Sequence, residues 1–284
     1  MKIFAISDLH LSFQTDKPMT DEVGHMLGAS LARTKPMDLF GDHWANYEQR
    51  IMEDWNAKVS VDDVGIIAGD ISWAMKMEDT KADFDFISKL NGTKIIIRGN
   101  HDYWWKSISK IRETLPQGIV ALQNDSVKIG DVVFAGTRGW RVPERFGRGT
   151  KQDAEDKKIF DREVIRFELA LKDAVNRRQT ADGRQQGPDS ARHCEGTEAI
   201  PSLTAEPQGS AKQVLIAILH YPPFNSTRDD SPFTALCEKY GVSACVYGHL
   251  HGKNCRAELF TQKNGVKYYL TSCDLLQHKV IEIT

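Results

Sequence analysis

The sequence predicts an α/β fold. Short runs of isoleucine and valine alternate along the chain with segments whose apolar residues recur every three or four positions. Several of the runs end in a glycine followed by a polar residue, the signature of a strand leaving the core to turn at a sheet edge. The apolar content of 40% and charged content of 27% are those of an ordinary globular chain.

The strand-like runs lie at 3–6, 64–68, 95–97, 214–219 and 244–247, all short and β-branched. Shorter alternating runs at 119–122, 127–129 and 132–135 are separated by the turn pairs Asn124-Asp125 and Gly130-Asp131, and read as antiparallel hairpin strands. The last third continues with runs at 256–260, 266–271 and 279–283, the first two joined by a tight Asn264-Gly265 turn. Helices fill the intervals. Phe40, Trp44, Tyr47, Ile51 and Trp55 make one apolar stripe, which marks Trp44 as core and leaves His43 one position off it. Phe160, Val164, Phe167, Leu171 and Val175 repeat the pattern across about 151–178. Shorter helices are expected at 79–90, 104–115 and 232–240.

Two segments break the rhythm. Residues 14–37 hold no sustained period. Residues 179–212 carry no aromatic residue and are rich in Gly, Pro, Ser, Gln and Glu, too poor in apolar surface to order themselves. Both are expected to be surface insertions in a single domain spanning 1–284, since no internal repeat or linker separates two cores. The net charge of -2 gives no overall basic footprint for nucleic acid. No apolar run reaches bilayer-spanning length, and "MKIFAISDLH" turns polar at Ser7 and Asp8, too soon for a signal peptide. Five cysteines without a CxxC pair predict a reduced, cytoplasmic protein and argue against a cysteine-zinc site.

Chemistry is concentrated at the strand ends. "KIFAISDLH" delivers Asp8 and His10, "VGIIAGD" delivers Asp70, and "KIIIRGNHD" delivers Asn100 and His101. "VLIAILH" ends in His220, and "ACVYGHLH" in His249 and His251. Any single tip is ordinarily a turn residue or helix cap. Five together, holding five of the nine histidines, are a different matter. In a sheet of parallel strands such ends converge on one edge, where open α/β folds bind ligands.

The ordered set "DLH", "GD", "GNHD", "LHYPP" and "GHLH" resembles the calcineurin-like metallophosphoesterases, from Met1 to about the final strand. The resemblance implies a four-layer α/β/β/α sandwich of two mixed sheets with a dinuclear metal site at the strand ends. It assigns Asp8, His10 and His251 to one divalent ion and Asn100, His220 and His249 to the other, with Asp70 bridging. It further implies hydrolysis of a phosphomonoester or phosphodiester by a metal-activated hydroxide, with His101 protonating the departing alkoxide.

Elementary chemistry agrees with that assignment. Two divalent ions bring four positive charges against two carboxylates, leaving a field that suits a phosphate anion. Imidazole and oxygen donors without thiolate suit manganese, iron, zinc or cobalt. A pair of such ions clamps both sides of an in-line displacement and acidifies a water. One position departs from the family: many members read Gly-Asp-x-x-Asp, the second Asp orienting the acid histidine, but here "GDISWAM" places Trp73 there. Asp102 is the substitute in view.

For the substrate, Tyr103, Trp104, Trp105, Trp140, Tyr221 and Phe224 neighbour the tips and are candidates to stack on a flat group or to pack the rim. Tyr103 and Trp104 are taken as substrate contacts. Arg138 in the basic loop "GTRGWRVPERFGRGTK" is taken as the phosphate grip. His25, His193, Cys194 and His278 receive no role. A small phosphate ester is the expected partner, with nucleic acid the less favoured one and no membrane. The alternatives are a nuclease of the same fold acting on DNA or RNA, and a non-catalytic scaffold.

Overall fold

Apolar runs without polar alternation belong to strands covered on both faces, and the computed structural model bears this out. It describes residues 1–18, 31–33, 35–144, 151–179, 213–252 and 254–283. One five-stranded sheet runs β13 (Ile281–Glu282), β1 (Ile3–Ile6), β4 (Val64–Ile67), β5 (Thr93–Ile97) and β6 (Ile119–Leu122). Its members are parallel apart from β13. A six-stranded sheet runs β11 (Phe260–Lys263), β12 (Val266–Leu270), β10 (Ala244–Tyr247), β9 (Val214–Ile218), β8 (Val132–Gly136) and β7 (Asp125–Ile129), antiparallel at both edges and parallel between.

Side-chain alternation divides the apolar residues among three cores. Ile3, Ala5, Ile66 and Ile95 meet Phe134, Ile216, Ile218 and Val246 between the two sheets. Phe4, Ile6, Ile67 and Ile96 face outward and pack on Trp55, Ile87 and Ile111. These last three belong to α1 (Tyr47–Lys58), α2 (Lys81–Ser88) and α3 (Ile108–Thr114). On the far side Leu215, Ala217 and Cys245 pack on Phe167 of α4 (Lys151–Gln179) and Phe233 of α5 (Pro232–Lys239). The result is the expected α/β/β/α sandwich of two mixed sheets.

Several local expectations change. The run at 119–122 is β6, a parallel partner of β5 in the first sheet, so of the three runs expected as hairpin strands two, β7 and β8, pair antiparallel. Phe40 leaves the stripe, because the chain before α1 forms 3₁₀ turns that expose it, whereas Trp44, Tyr47, Ile51 and Trp55 are buried. The helix expected at 104–115 begins only at Ile108. The run at 256–260 yields a strand displaced to Phe260–Lys263, and Asn264 and Gly265 make its turn with φ of 49° and 81°. Within 14–37, β2 (Phe13–Pro18) pairs with β3 (Leu31–Arg33). Of 179–212, everything after Gln179 lies outside the described residues, as do His25, His193 and Cys194.

Candidate metal centre

The parallel strands of both sheets point their C-terminal ends at one edge, where the tips are stitched together. The Ser7 N–H donates to Thr271 O at 2.8 Å, and the Cys273 N–H to Ser7 O at 3.0 Å. The His220 ring lies with Nδ1 3.0 Å from Ala68 O, so the tip of β9 leans on the tip of β4. Two close approaches demand glycine. A Cβ on Gly99 would stand 2.1 Å from Asp70 Oδ1, and one on Gly248 would stand 2.3 Å from Ser7 Oγ and 2.6 Å from Asp8 Oδ2.

These approaches bring the seven expected ligands together. Single ligand atoms of Asp8, His10 and His251 all lie within 4.8 Å of one another, as do those of Asp8, Asp70 and His220. Asn100 Oδ1 is 2.7 Å from His220 Nε2 and 2.8 Å from His249 Nδ1. Asp70 Oδ2 lies between two rings, 3.8 Å from His10 Nε2 and 3.5 Å from His220 Nε2.

The polar atoms here are buried without the partners that burial ordinarily requires. Both ring nitrogens of His10 and Asp70 Oδ2 have none. At His220 the Ala68 carbonyl can only accept, which puts the ring proton on Nδ1 and turns the Nε2 lone pair toward the Asn100 oxygen. Two lone pairs at that separation repel unless a cation draws both. The donor set thus fits divalent cations. Asp8, His10 and His251 could hold one, Asn100, His220 and His249 another, and Asp70 faces rings of both groups.

The electrostatics point the same way. Burial pushes the Asp70 pKa up to about 9, helped by the negative charges of Asp8 and Asp102. Burial works on Asp8 too, but the imidazoles of His220, His251 and His10 outweigh it and hold that carboxyl below its usual range. Burial takes His10 down to about 3 and His249 down to about 4, keeping both rings neutral and their lone pairs available. Asp8 is also tied in place by groups that sequence reading missed. The Ser7 and Ser272 hydroxyls donate to its Oδ2 at 2.6 and 2.8 Å, and the His249 N–H at 3.0 Å. Ser7 is signalled only by preceding Asp8, and Ser272 by nothing short of the fold.

His101 stands at the rim, its backbone N–H donating to Asp70 Oδ1 at 2.7 Å. Its imidazole packs 4.5 Å from the Trp73 ring and 5.6 Å from His10, and its Nδ1 is 3.4 Å from the Tyr103 hydroxyl. Burial, then the charges of Lys35 and His251, lower its pKa. Trp73 in turn stacks on His10 at 4.7 Å and 21°, with the Lys35 ammonium 3.2 Å from its ring centre. An indole that packs on both His10 and His101 thus occupies the place of the usual carboxylate.

Two expectations are corrected. Asp102 does not orient His101: its carboxylate accepts from the N–H groups of Gly99, Ile71 and Ser72 and from Trp104 Nε1, at 2.7 to 3.1 Å. Trp104 is no substrate contact, being fully buried against Phe84. Tyr103 is exposed beside His101. Arg138 lies at the flank, its guanidinium 5.1 Å from the Trp140 ring and 3.9 Å from Glu163. There it lines a cavity of about 360 Å³ together with Arg98, Arg162 and Arg166, none of which the sequence reading singled out. His43 is exposed, and His278 is a core residue whose Nε2–H donates to His43 O at 2.9 Å.

Comparison with known proteins bears on this edge. A search of curated proteins found no match. Among solved structures, this chain is similar to a protein of unknown function, AQ665 from Aquifex aeolicus, with 11% identity, a TM-score of 0.43 and coverage of 99% and 95% of the two chains. It is similar to the phosphopantetheinyl hydrolase PptH from Mycobacterium tuberculosis, with 15% identity, a TM-score of 0.42 and the same coverages. It is also similar to TT1561 of Thermus thermophilus, with 8% identity, a TM-score of 0.48 and coverage of 99% and 97%. The family model described as calcineurin-like phosphoesterase matches residues 1–253, a span holding every one of the converging ligands, and the chain belongs to that family.

Proposed function

We propose that the chain hydrolyses a phosphomonoester or phosphodiester at a pair of divalent cations, manganese, iron, zinc or cobalt. The observation that carries this is the convergence of buried polar atoms that lack hydrogen-bond partners, Asp70 Oδ2 and the His10 ring nitrogens, beside Asn100 Oδ1, which faces His220 Nε2. When bound, such cations polarise a phosphoryl oxygen and acidify a water for attack on phosphorus.

The protein's own groups do the rest. Asp8, His10 and His251 would hold one cation and Asn100, His220 and His249 the other, with Asp70 facing both groups. Asn100 contributes an oxygen without charge, which keeps the centre attractive to a phosphate dianion. His101 delivers a proton to the departing alkoxide, and the Trp73 ring fixes its imidazole. Arg138 adds positive charge at the flank, where it draws the substrate in.

The substrate is a small phosphate ester rather than a nucleic acid, in keeping with the net charge of -2. A cytoplasmic location is part of the same proposal. Cys237, Cys245, Cys255 and Cys273 are free thiols, which suits a reducing compartment. Among the described residues no helix is long and apolar enough to cross a membrane.

The test is reconstitution of the stripped protein with each of the four metals, followed by assay on 4-nitrophenyl phosphate and bis(4-nitrophenyl) phosphate with elemental analysis of the same sample. About two metal equivalents and metal-dependent nitrophenol release are expected. A protein that retains no metal, or retains it and cleaves neither ester, would sink the reading.

A further inference from the structure

The metal centre opens on one side into a cleft of about 690 Å³, of which His249 is a wall. A line of aromatic rings leads into it: Tyr221 lies 4.2 Å from His249 and 5.1 Å from Trp140, and Trp140 lines the cleft. Beyond it the lining is apolar, with Val142, Phe224, Tyr247 and Leu250. The Phe224 and Tyr247 rings meet edge to face at 5.6 Å and are buried, so this surface is part of the packed core rather than a loose loop. The volume is that of a pocket for an organic molecule of some length, far more than a phosphate group fills.

Charged residues ring the cleft and are engaged: Arg256 donates to Cys255 O at 3.3 Å, and others pair with opposite charges or with Ser226. Arg141 pairs with Asp156, Arg228 with Glu258 at 2.7 Å, and Lys157 with Asp161 at 2.7 Å. Glu144 accepts from the Ser226 N–H and hydroxyl at 2.9 and 2.8 Å. A ligand bearing further phosphates would have to break these pairs, and a nucleic-acid strand needs uncommitted cations along its backbone. A neutral chain meets no such obstacle and gains from apolar burial.

We propose that the substrate's ester group is a long, uncharged, mainly apolar chain, and that it lies in this cleft with its phosphate beside His249. The inference rests on the phosphoesterase reading for the phosphate end alone.

Binding of n-alkylphosphonates, which cannot be hydrolysed, tests it without relying on turnover. Calorimetric titration of the manganese-loaded full chain from methyl- to octylphosphonate should show affinity rising roughly fourfold per methylene until the cleft is filled. A chain of the same length ending in carboxylate should lose most of that gain. Leu250→Ser and Val142→Ser should each reduce the octyl-to-methyl affinity ratio, a ratio in which general losses of metal or folding cancel. An affinity independent of length, or a carboxylate tail bound as well as a methyl end, overturns the proposal. Turnover of 4-nitrophenyl phosphate on the same sample keeps the two readings apart. A length dependence without turnover retains the cleft and sinks the hydrolase, and turnover with a flat series does the reverse.

Discussion

Asp8, His10, Asp70 and His249 all hold left-handed backbone, with φ of 58°, 48°, 50° and 70°. That conformation is uncommon outside glycine and most accessible to Asp, Asn and His, and its clustering here points to a site that dictates side-chain direction at the expense of local comfort. The tightness gives a first prediction. Gly248→Ala puts a methyl into the space of Ser7 Oγ and Asp8 Oδ2, so the Asp8 carboxylate must shift, and metal affinity should fall about 10- to 100-fold by competition with a chelating dye. His101 lies outside the ligand groups but packs on one of their members. His101→Gln should leave metal content unchanged while turnover falls about 10²–10⁴-fold, and equal activity in the variant would remove His101 from the chemistry. The converging residues were legible in the sequence because each follows the end of an apolar run, where the chain leaves the core at a sheet edge. Asp102 and Trp104 were not. Adjacency to His101 cannot tell which way a turn throws its side chains, and both were drawn inward by the unpaired N–H groups of the β4 tip and by the core under α2.

At the scale of elements, Asp83 ties three segments together. From α2 it accepts from the Phe13 N–H at 2.9 Å, where β2 begins, and from the Ser72 hydroxyl just beyond β4. Burial raises its pKa to about 7 in spite of those donors, with the charges of Glu48 and Asp102 adding to the rise. The folded state therefore holds a proton that the unfolded chain gives up near pH 3.9. The stability this contributes is fully present below about pH 3.9 and is lost as pH rises through about 7. Asp83→Asn keeps the shape without the ionisation. Its thermal midpoint, compared with that of the parent from pH 4 to 8, should fall less steeply with rising pH, and parallel curves would show Asp83 to be ionised throughout. Elements buried on both faces were the easiest to read, β1, β5, β9 and β10 above all, since an unbroken apolar run bounded by polar or turn residues and too short for a buried helix admits few other structures. The run at 119–122 misled because a short edge strand carries the same alternation whether its neighbour is parallel or antiparallel, and the choice is made by a sheet on which the sequence is silent. The helix stripe failed at Phe40 for a related reason: spacing continues across a 3₁₀ turn, but the face does not.

Across the whole molecule, the two sheets are held by the apolar layer between them and meet again at the edge, where β1, β4 and β5 contribute from one sheet and β9 and β10 from the other. The order of strands that makes this possible, β13-β1-β4-β5-β6 against β11-β12-β10-β9-β8-β7, is not written in any local pattern, and it was the resemblance of spaced motifs that supplied the two-sheet arrangement in advance. A centre shared between sheets has a thermodynamic consequence. In the unfolded chain Asp8 and His249 are separated by most of the sequence, so the full set of donors exists only when both sheets are in place, and a cation bound there stabilises the folded state by mass action. At free metal of 100 times the dissociation constant the gain is about 2.7 kcal/mol, which for a chain of this size corresponds to roughly 4–5 °C in the unfolding midpoint. Calorimetric scans in graded free manganese should therefore show a midpoint that climbs with the logarithm of metal concentration, and excess chelator should return it to the metal-free value. Asn100→Ala removes the side chain of the first sheet that faces His220 and His249 of the second, and should flatten the climb. A midpoint indifferent to metal in the parent protein would mean that these side chains meet without binding a cation, and would leave their missing hydrogen-bond partners without a cause.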